Sequence, residues 1–207
     1  MIYLKTDEEV ELMRESNRIL GMAYGEVAKA IAPGVTTAYI SKIADEFVRK
    51  QGGIPSCLGY DNYPAAFCVS VNEQLVHGIP NEETVLKEGD IVTVDGCVLY
   101  KGFHSDSAYT FPVGEISEEK MRLLRTTKEC LYLGIEQAVT GHRLGDIGYV
   151  IQTYAENAGF QVCREFVGHG IGRDMHEDPE VCNYGRRGNG IVLKSGMTLA
   201  IEPMLLS

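Results

Sequence analysis

Apolar residues recur at helical spacing near the start of the chain, at Val10, Met13, Ile19, Leu20, Ala23, Val27 and Ile31. Thr6-Asp7-Glu8-Glu9 opens this stripe, with Thr6 as N-cap and Glu9 as its capping-box partner. Pro33-Gly34 closes it, so the pattern predicts a helix over about 7–32. A second helix, about 37–51, stops at Gly52-Gly53. The later chain follows the same plan. It predicts helices at about 118–139 and 144–158, with Ser117 as N-cap and Gly141 and Gly159 as stops. After each helix pair come strand-like runs: 66–71, 91–94 and 105–111, then 162–167, 191–193 and 198–201. Helices and strands in groups, without regular alternation, predict an α+β fold with helices on one face of an antiparallel sheet.

The likeness of the two halves extends to the residues. At an offset of 107, Val85-Leu86-Lys87-Glu88-Gly89 meets Val192-Leu193-Lys194-Ser195-Gly196 with four identities in five positions. Gly34 meets Gly141, Ile40 meets Ile147 and Gly52 meets Gly159, while Phe47 falls on Tyr154 and Ile43 on Val150. Such a period reads as a duplication. With no low-complexity linker, the expectation is one domain, 1–207, made of two pseudo-symmetric halves of about 1–113 and 114–207.

The first candidate chemistry lies in residues 91–111, where two strand-like runs flank Leu99-Tyr100-Lys101-Gly102. A hairpin centred between Tyr100 and Lys101 sets Asp95 directly across from Asp106, with Cβ atoms roughly 5 Å apart on one face. Carboxylates so placed repel unless a cation sits between them or one is protonated. If the turn is instead shifted by one residue, one Asp points to solvent. The repeat places Glu202, in Leu199-Ala200-Ile201-Glu202-Pro203, at the equivalent of Asp95. Acids recurring on otherwise apolar strands of two facing halves would converge on a shared metal site.

Three of the five histidines sit in unusual surroundings. His169 and His176 lie in Gly168-His169-Gly170-Ile171-Gly172-Arg173-Asp174-Met175-His176-Glu177, where three glycines in five residues disfavour a helix. Glycines there let backbone approach a ligand closely. His77 stands in a turn signature, Val76-His77-Gly78-Ile79-Pro80, whereas His104 and His142 have ordinary surroundings.

Composition narrows the partners. A formal net charge of −10 argues against nucleic acid or an anionic membrane. No run of 18 apolar residues spans a bilayer, and Met1-Ile2-Tyr3-Leu4-Lys5, followed at once by acids, is no signal peptide. The six scattered cysteines read as reduced thiols in a cytosol.

Asp95, Asp106, His169 and Glu202, set in Val-Asp-Gly, His-Ser-Asp, Gly-His-Gly-Ile-Gly and Ile-Glu-Pro-Met, resemble the metal ligands of the type I methionine aminopeptidases. The resemblance covers the whole chain and implies the duplicated pita-bread α+β fold. It implies metal-dependent removal of the initiator methionine from Met-X peptides and nascent chains, by a cytoplasmic monomer. Two divalent ions (Co, Mn, Fe or Zn) would activate a water. By the same resemblance Asp106 bridges both ions, Asp95 holds one and His169 the other, and Glu202 is ligand and proton acceptor. His176 steadies the scissile carbonyl, and His77 binds near the departing amide nitrogen. The stretch 57–68 is similar to the family's methionine pocket, which implies that Cys57, Tyr60, Tyr63 and Cys68 hold the side chain. Met175 stands in the pocket wall where some relatives have Phe.

Related prolidases share the metal ligands, so a prolidase-like hydrolase is the alternative. The choice of methionine rests on the pocket stretch and on the lack of an additional N-terminal domain; nor does a zinc-finger or ribosome-docking extension precede residue 1. The family pattern also carries one more glutamate after Ile-Glu-Pro-Met, whereas this sequence stops at Ser207. The expectation is a missing last strand and ligand, with an inactive fragment as a further alternative.

Overall fold

The apolar stripe of the first segment forms helix α1, Asp7–Ala30, in a computed structural model that describes all 207 residues. Its Leu20, Ala23 and Val27 are fully buried, as are Ile40, Ala44 and Val48 of α2, Thr37–Lys50. Burial at this level is worth roughly 1.5–3 kcal/mol for each of the larger side chains. Thr36 caps α2, its Oγ1 accepting from the Tyr39 amide at 3.2 Å. Helices α3, Glu118–Gln137, and α4, Leu144–Asn157, complete the helical set. At the start of α4, Asp146 accepts from the amides of Gly188 (2.7 Å) and Arg143 (2.8 Å). These bonds hold its carboxyl below the usual carboxylate range. Their contribution is present at neutral pH and is lost as pH falls through that lowered value.

The residues group into two compact units, Glu8–Glu118 with Gly172–Met175, and Met1–Asp7 with Glu119–Ile171 and His176–Ser207. In the first unit a four-stranded antiparallel sheet is built around β3, Ile91–Tyr100. One edge of β3 takes β1, Ile54–Pro55, and β2, Cys68–Val71; the other takes β4, Phe103–Pro112. Alternation divides β3 into two faces. Val92, Val94 and Val98 belong to the core shared with Phe67 and with α1 and α2, and Thr93, Asp95 and Cys97 point the other way. Gly96 falls on the valine face by the same alternation, and a Cβ there would overlap the Phe67 ring.

The second unit has its own core of Cys130, Ile147, Ile151, Ala155, Phe160 and Val181 among others. Its strands are β5, Gln161–Val162; β6, Gly168–Gly170; β7, Glu177–Val181; β8, Leu199–Ala200; and β9, Leu205–Leu206. β5 pairs with β9, and β6 lies between β7 and β8. Several backbone arrangements in the first unit recur 107 positions later. Thr36 bridges Val85 and Arg143 bridges Val192. The Gly34 amide donates to Leu86 at 2.8 Å and the Gly141 amide to Leu193 at 3.0 Å. Ile54–Pro55 pairs with Leu99 and Val98 as Gln161–Val162 pairs with Leu206 and Leu205.

Three expectations need correction. The β3–β4 hairpin turns at Lys101-Gly102, both at positive φ, so Asp106 lies opposite Cys97 and Asp95 opposite Ala108. Moving the centre of the hairpin by one residue slides the partner strand by two, which preserves the face. The two acids therefore share a face as diagonal neighbours, roughly 7–8 Å apart rather than directly paired. The run 162–167 is not one strand, because the Glu165 carboxylate takes the Arg164 amide at 3.1 Å and the Cys163 thiol at 3.4 Å. Nor is 191–193 a strand. Its backbone is spent on the helix connection, with Leu193 donating to His142 at 2.8 Å and Ile191 accepting from Leu144 at 3.0 Å.

Candidate metal and substrate site

In the first unit, β2, β3 and β4 bring a cluster of polar side chains to the face opposite the helical core. Cys68 is the register partner of Asp95, and Cys97 that of Asp106. Cys57 follows Ser56, whose amide donates to the Cys97 carbonyl at 2.8 Å. The cluster is acidic and half-desolvated, which shows in its thiols. The Cys97 thiol is pushed up to about 12: a hydrogen bond with Cys57 lowers it, but burial and the Asp106 and Asp95 charges outweigh that. Cys68 is raised by its hydrogen bond with Cys57 and then by burial. Cys57 is pulled down by Cys68, and is raised overall by its hydrogen bond with Cys97 and by burial. These thiols therefore stay protonated, and behave as small polarizable surfaces rather than nucleophiles.

Tyr24 of α1, packed on the helical side of the sheet, feels the charges of this cluster, and sequence reading misses it. Burial, then the charges of Asp95 and Asp106, hold its hydroxyl well above the ordinary tyrosine value. The hydroxyl donates to the Ser107 carbonyl, and the ring meets Phe67 edge-on at 6.4 Å. The only signal in the sequence is a polar-tipped residue inside an apolar stripe. Cys97, two residues beyond Asp95 and opposite Asp106, carries no distinct signal in the sequence either.

The candidate pocket residues are spread along the same unit. Tyr63 donates its hydroxyl to the Gly78 carbonyl at 2.8 Å, and burial raises its pKa. Tyr60 stands at the start of a 3-10 turn, Tyr60–Asn62, and is 41% exposed. Met175 is buried. Gly78 is fastened to β2, its amide donating to Ser70 Oγ at 2.9 Å and its carbonyl accepting from the Val69 amide at 2.9 Å. That anchorage holds the preceding residue, His77, exposed and at a φ of 58°. A non-glycine residue in the left-handed region is uncommon, and such strain gathers at functional positions.

In the second unit the register of β6 with β7 and β8 organises the imidazoles. His169 pairs with Glu180 on one side and Ala200 on the other, and a bulge follows it. Its Nδ1 lies 2.8 Å from the Gly170 carbonyl. A carbonyl only accepts, so Nδ1 carries a proton and Nε2 is the ring atom turned toward Glu202. Nε2 lies 3.4 Å from Glu202 Oε1, and the His169 and His176 rings meet edge-on at 4.3 Å between centroids. Glu202 is held through its main chain, its carbonyl accepting from Asn183 Nδ2 at 2.7 Å. Asn183 is fully buried and was not among the candidate residues. An imidazole anchored through Nδ1 to a backbone carbonyl, with Nε2 beside a carboxylate, has the donor atoms of a divalent-metal ligand set.

Residues 11–207 match the family model for metallopeptidase family M24. The chain is 50% identical over 205 residues to the methionine aminopeptidase of Clostridium acetobutylicum and to methionine aminopeptidase 1 of Bacillus subtilis, covering 99% of this chain and 82% of each relative. Among solved structures it superposes on a methionine aminopeptidase of Thermotoga maritima with a TM-score of 0.97 and 46% identity, covering 99% of this chain and 82% of that one. A prolidase of Pyrococcus furiosus, 23% identical with a TM-score of 0.82, shares the fold alone. That common architecture is the pita-bread fold. Half of all positions are identical to curated aminopeptidases along nearly the entire chain, and on that ground the protein belongs to the methionine aminopeptidases of metallopeptidase family M24.

Proposed function

We propose that the chain hydrolyses the first peptide bond of Met-X peptides and nascent chains, with divalent ions held by Asp95, Asp106, His169 and Glu202. The observation that carries this reading is the 50% identity over 205 residues to proteins named methionine aminopeptidase. The anchorage of His169 Nδ1 on the Gly170 carbonyl, and the oxygen donors of Asp106 and Glu202, suit such ions. When bound, they would lower the pKa of water and polarise the scissile carbonyl. In this reading the chain is one domain made of two related halves.

The protein's own groups take the remaining roles. Glu202 accepts the proton of the attacking water, and His176 donates a hydrogen bond to the carbonyl oxygen as charge develops there. His77, held in place by Gly78, meets the departing nitrogen. Cys57, Cys68, Tyr60, Tyr63 and Met175 surround the methionine side chain, and a surface of thiols, thioether and aromatic rings suits its sulfur. We place the reaction in the cytosol, on exposed peptide N-termini, with the protein acting as a monomer.

The deciding assay compares Met-Ala-Ser with an X-Pro dipeptide, after chelation and reloading with Co, Mn, Fe or Zn in turn. Hydrolysis of Met-Ala-Ser alone is expected; preference for X-Pro would establish a prolidase-like enzyme instead. His77→Ala is expected to lower turnover of Met-Ala-Ser by roughly tenfold or more while metal content holds. Loss of metal in that variant would mean that His77 is a ligand and its assigned role is wrong.

A further inference from the structure

We propose that the buried ion pair of Lys5 with Glu177 is a positioning device for His176, which makes Lys5 a residue of the active site's support. The inference rests on the reading that His176 faces the substrate.

Lys5 Nζ meets the Glu177 carboxylate with both side chains only 5% exposed. The same Nζ donates to the Tyr3 carbonyl at 3.3 Å. The Lys5 backbone is fixed as well, its amide donating to the Gly196 carbonyl at 2.7 Å. Gly196 has a φ of +86°, and a Cβ there would stand 2.7 Å from the Lys5 carbonyl oxygen. Lys5 is thus a rigid base from which the ammonium reaches Glu177.

Glu177 is the first residue of β7 and pairs with Gly170 of β6 across the irregularity that follows His169. His176 precedes it directly. His176 is exposed, so burial alone does not set its position. The imidazole nevertheless keeps an edge-on contact with His169 at 4.3 Å. Pinning the Glu177 carboxylate fixes the end of β7 from which His176 projects.

Stability alone does not account for this pair. A buried ammonium and carboxylate surrender hydration that their attraction barely restores, and an apolar pair of similar volume does as well or better. What the ion pair adds is direction, because charge-assisted hydrogen bonds fix where the carboxylate sits. The neighbouring pair of the Met1 ammonium with Asp178 has no such force, since it is 81% and 62% exposed and screened by water.

The test uses Lys5→Met and the apolar double variant Lys5→Met/Glu177→Leu in the protein carrying this sequence. Thermal unfolding, kcat and KM for Met-Ala-Ser, and the imidazole resonances of His176 and His142 are read together. Lys5→Met is expected to lower kcat roughly tenfold or more. KM should stay within about twofold. The His176 resonances should move while those of His142 stay. The double variant should regain the wild-type Tm yet keep the low kcat and the displaced resonances. Recovery of kcat and resonances together with Tm would overturn the proposal, because the pair would then only fill space. Unmoved His176 resonances in folded Lys5→Met protein would overturn it too. If Lys5→Met does not fold, the double variant decides. A wild-type protein inert toward Met-Ala-Ser would instead count against the aminopeptidase reading, and the resonances would still decide the role of Lys5.

Discussion

Glu202→Gln protein is expected to lose Met-Ala-Ser hydrolysis by roughly 10²–10⁴-fold, the range for removing a general base. The substitution keeps the shape of the side chain and removes its charge and basicity. Its main-chain anchor, the 2.7 Å bond from Asn183 Nδ2 to the Glu202 carbonyl, does not depend on the side chain and survives. His169 Nε2, 3.4 Å from Glu202 Oε1, would face an amide where it now faces a carboxylate. A neutral amide oxygen is a poorer ligand for a hard divalent ion than a carboxylate, so metal per chain should fall as well. Single-turnover hydrolysis and elemental analysis of the same preparation separate the two effects. Activity retained within about tenfold of wild type would remove Glu202 from the chemistry.

The helices were legible because their apolar stripes are long and their ends carry chain-reversing glycines. Gly34, Gly52, Gly141 and Gly159 all adopt positive φ, as their place after each helix requires. The acids and histidines were legible because their residue types and surroundings are unusual. The hairpin register was less so. A two-residue turn with positive φ at both positions usually signals itself with Asn-Gly or Asp-Gly, and here a lysine holds the first position. Reading Gly102 correctly as part of the turn still left its centre one residue early.

Strand β7 was missed for a different reason. Glu177, Asp178, Pro179 and Glu180 have no strand character of their own, and their pairing with β6 is set by tertiary context. Tyr24, Lys5 and Asn183 share that obscurity. Each is ordinary in sequence and acquires its significance only from the distant residue it meets: Ser107, Glu177 and Glu202 respectively.

Gly168→Ala is expected to destabilise the protein by about 3 kcal/mol, at the upper end of the usual cost of overpacking. A Cβ at Gly168 would stand well inside contact distance of the Ala200 carbonyl oxygen, 3.2 Å from the Ala200 carbonyl carbon and 3.4 Å from the Glu202 amide. All three are backbone atoms, so no side chain can rotate away. β6 cannot retreat either, because β7 lies on its other side, where a Cβ at Gly170 would overlap the Asp178 carbonyl oxygen. Relief has to come from displacing β8 and the segment leading to Glu202, which strains the ladder on both sides of His169. For a chain of this size the cost corresponds to a fall in Tm of roughly 6–12 °C. Gly21→Ala supplies the opposite sign. It lies in the exposed interior of α1 with nothing within 4 Å of an added Cβ, and should gain about 0.5–1 kcal/mol. Differential scanning calorimetry of both variants is the check. A Gly168→Ala protein as stable as wild type would show that β6 and β8 do not approach as closely as described, and with that the placement of His169 beside Glu202 would fall.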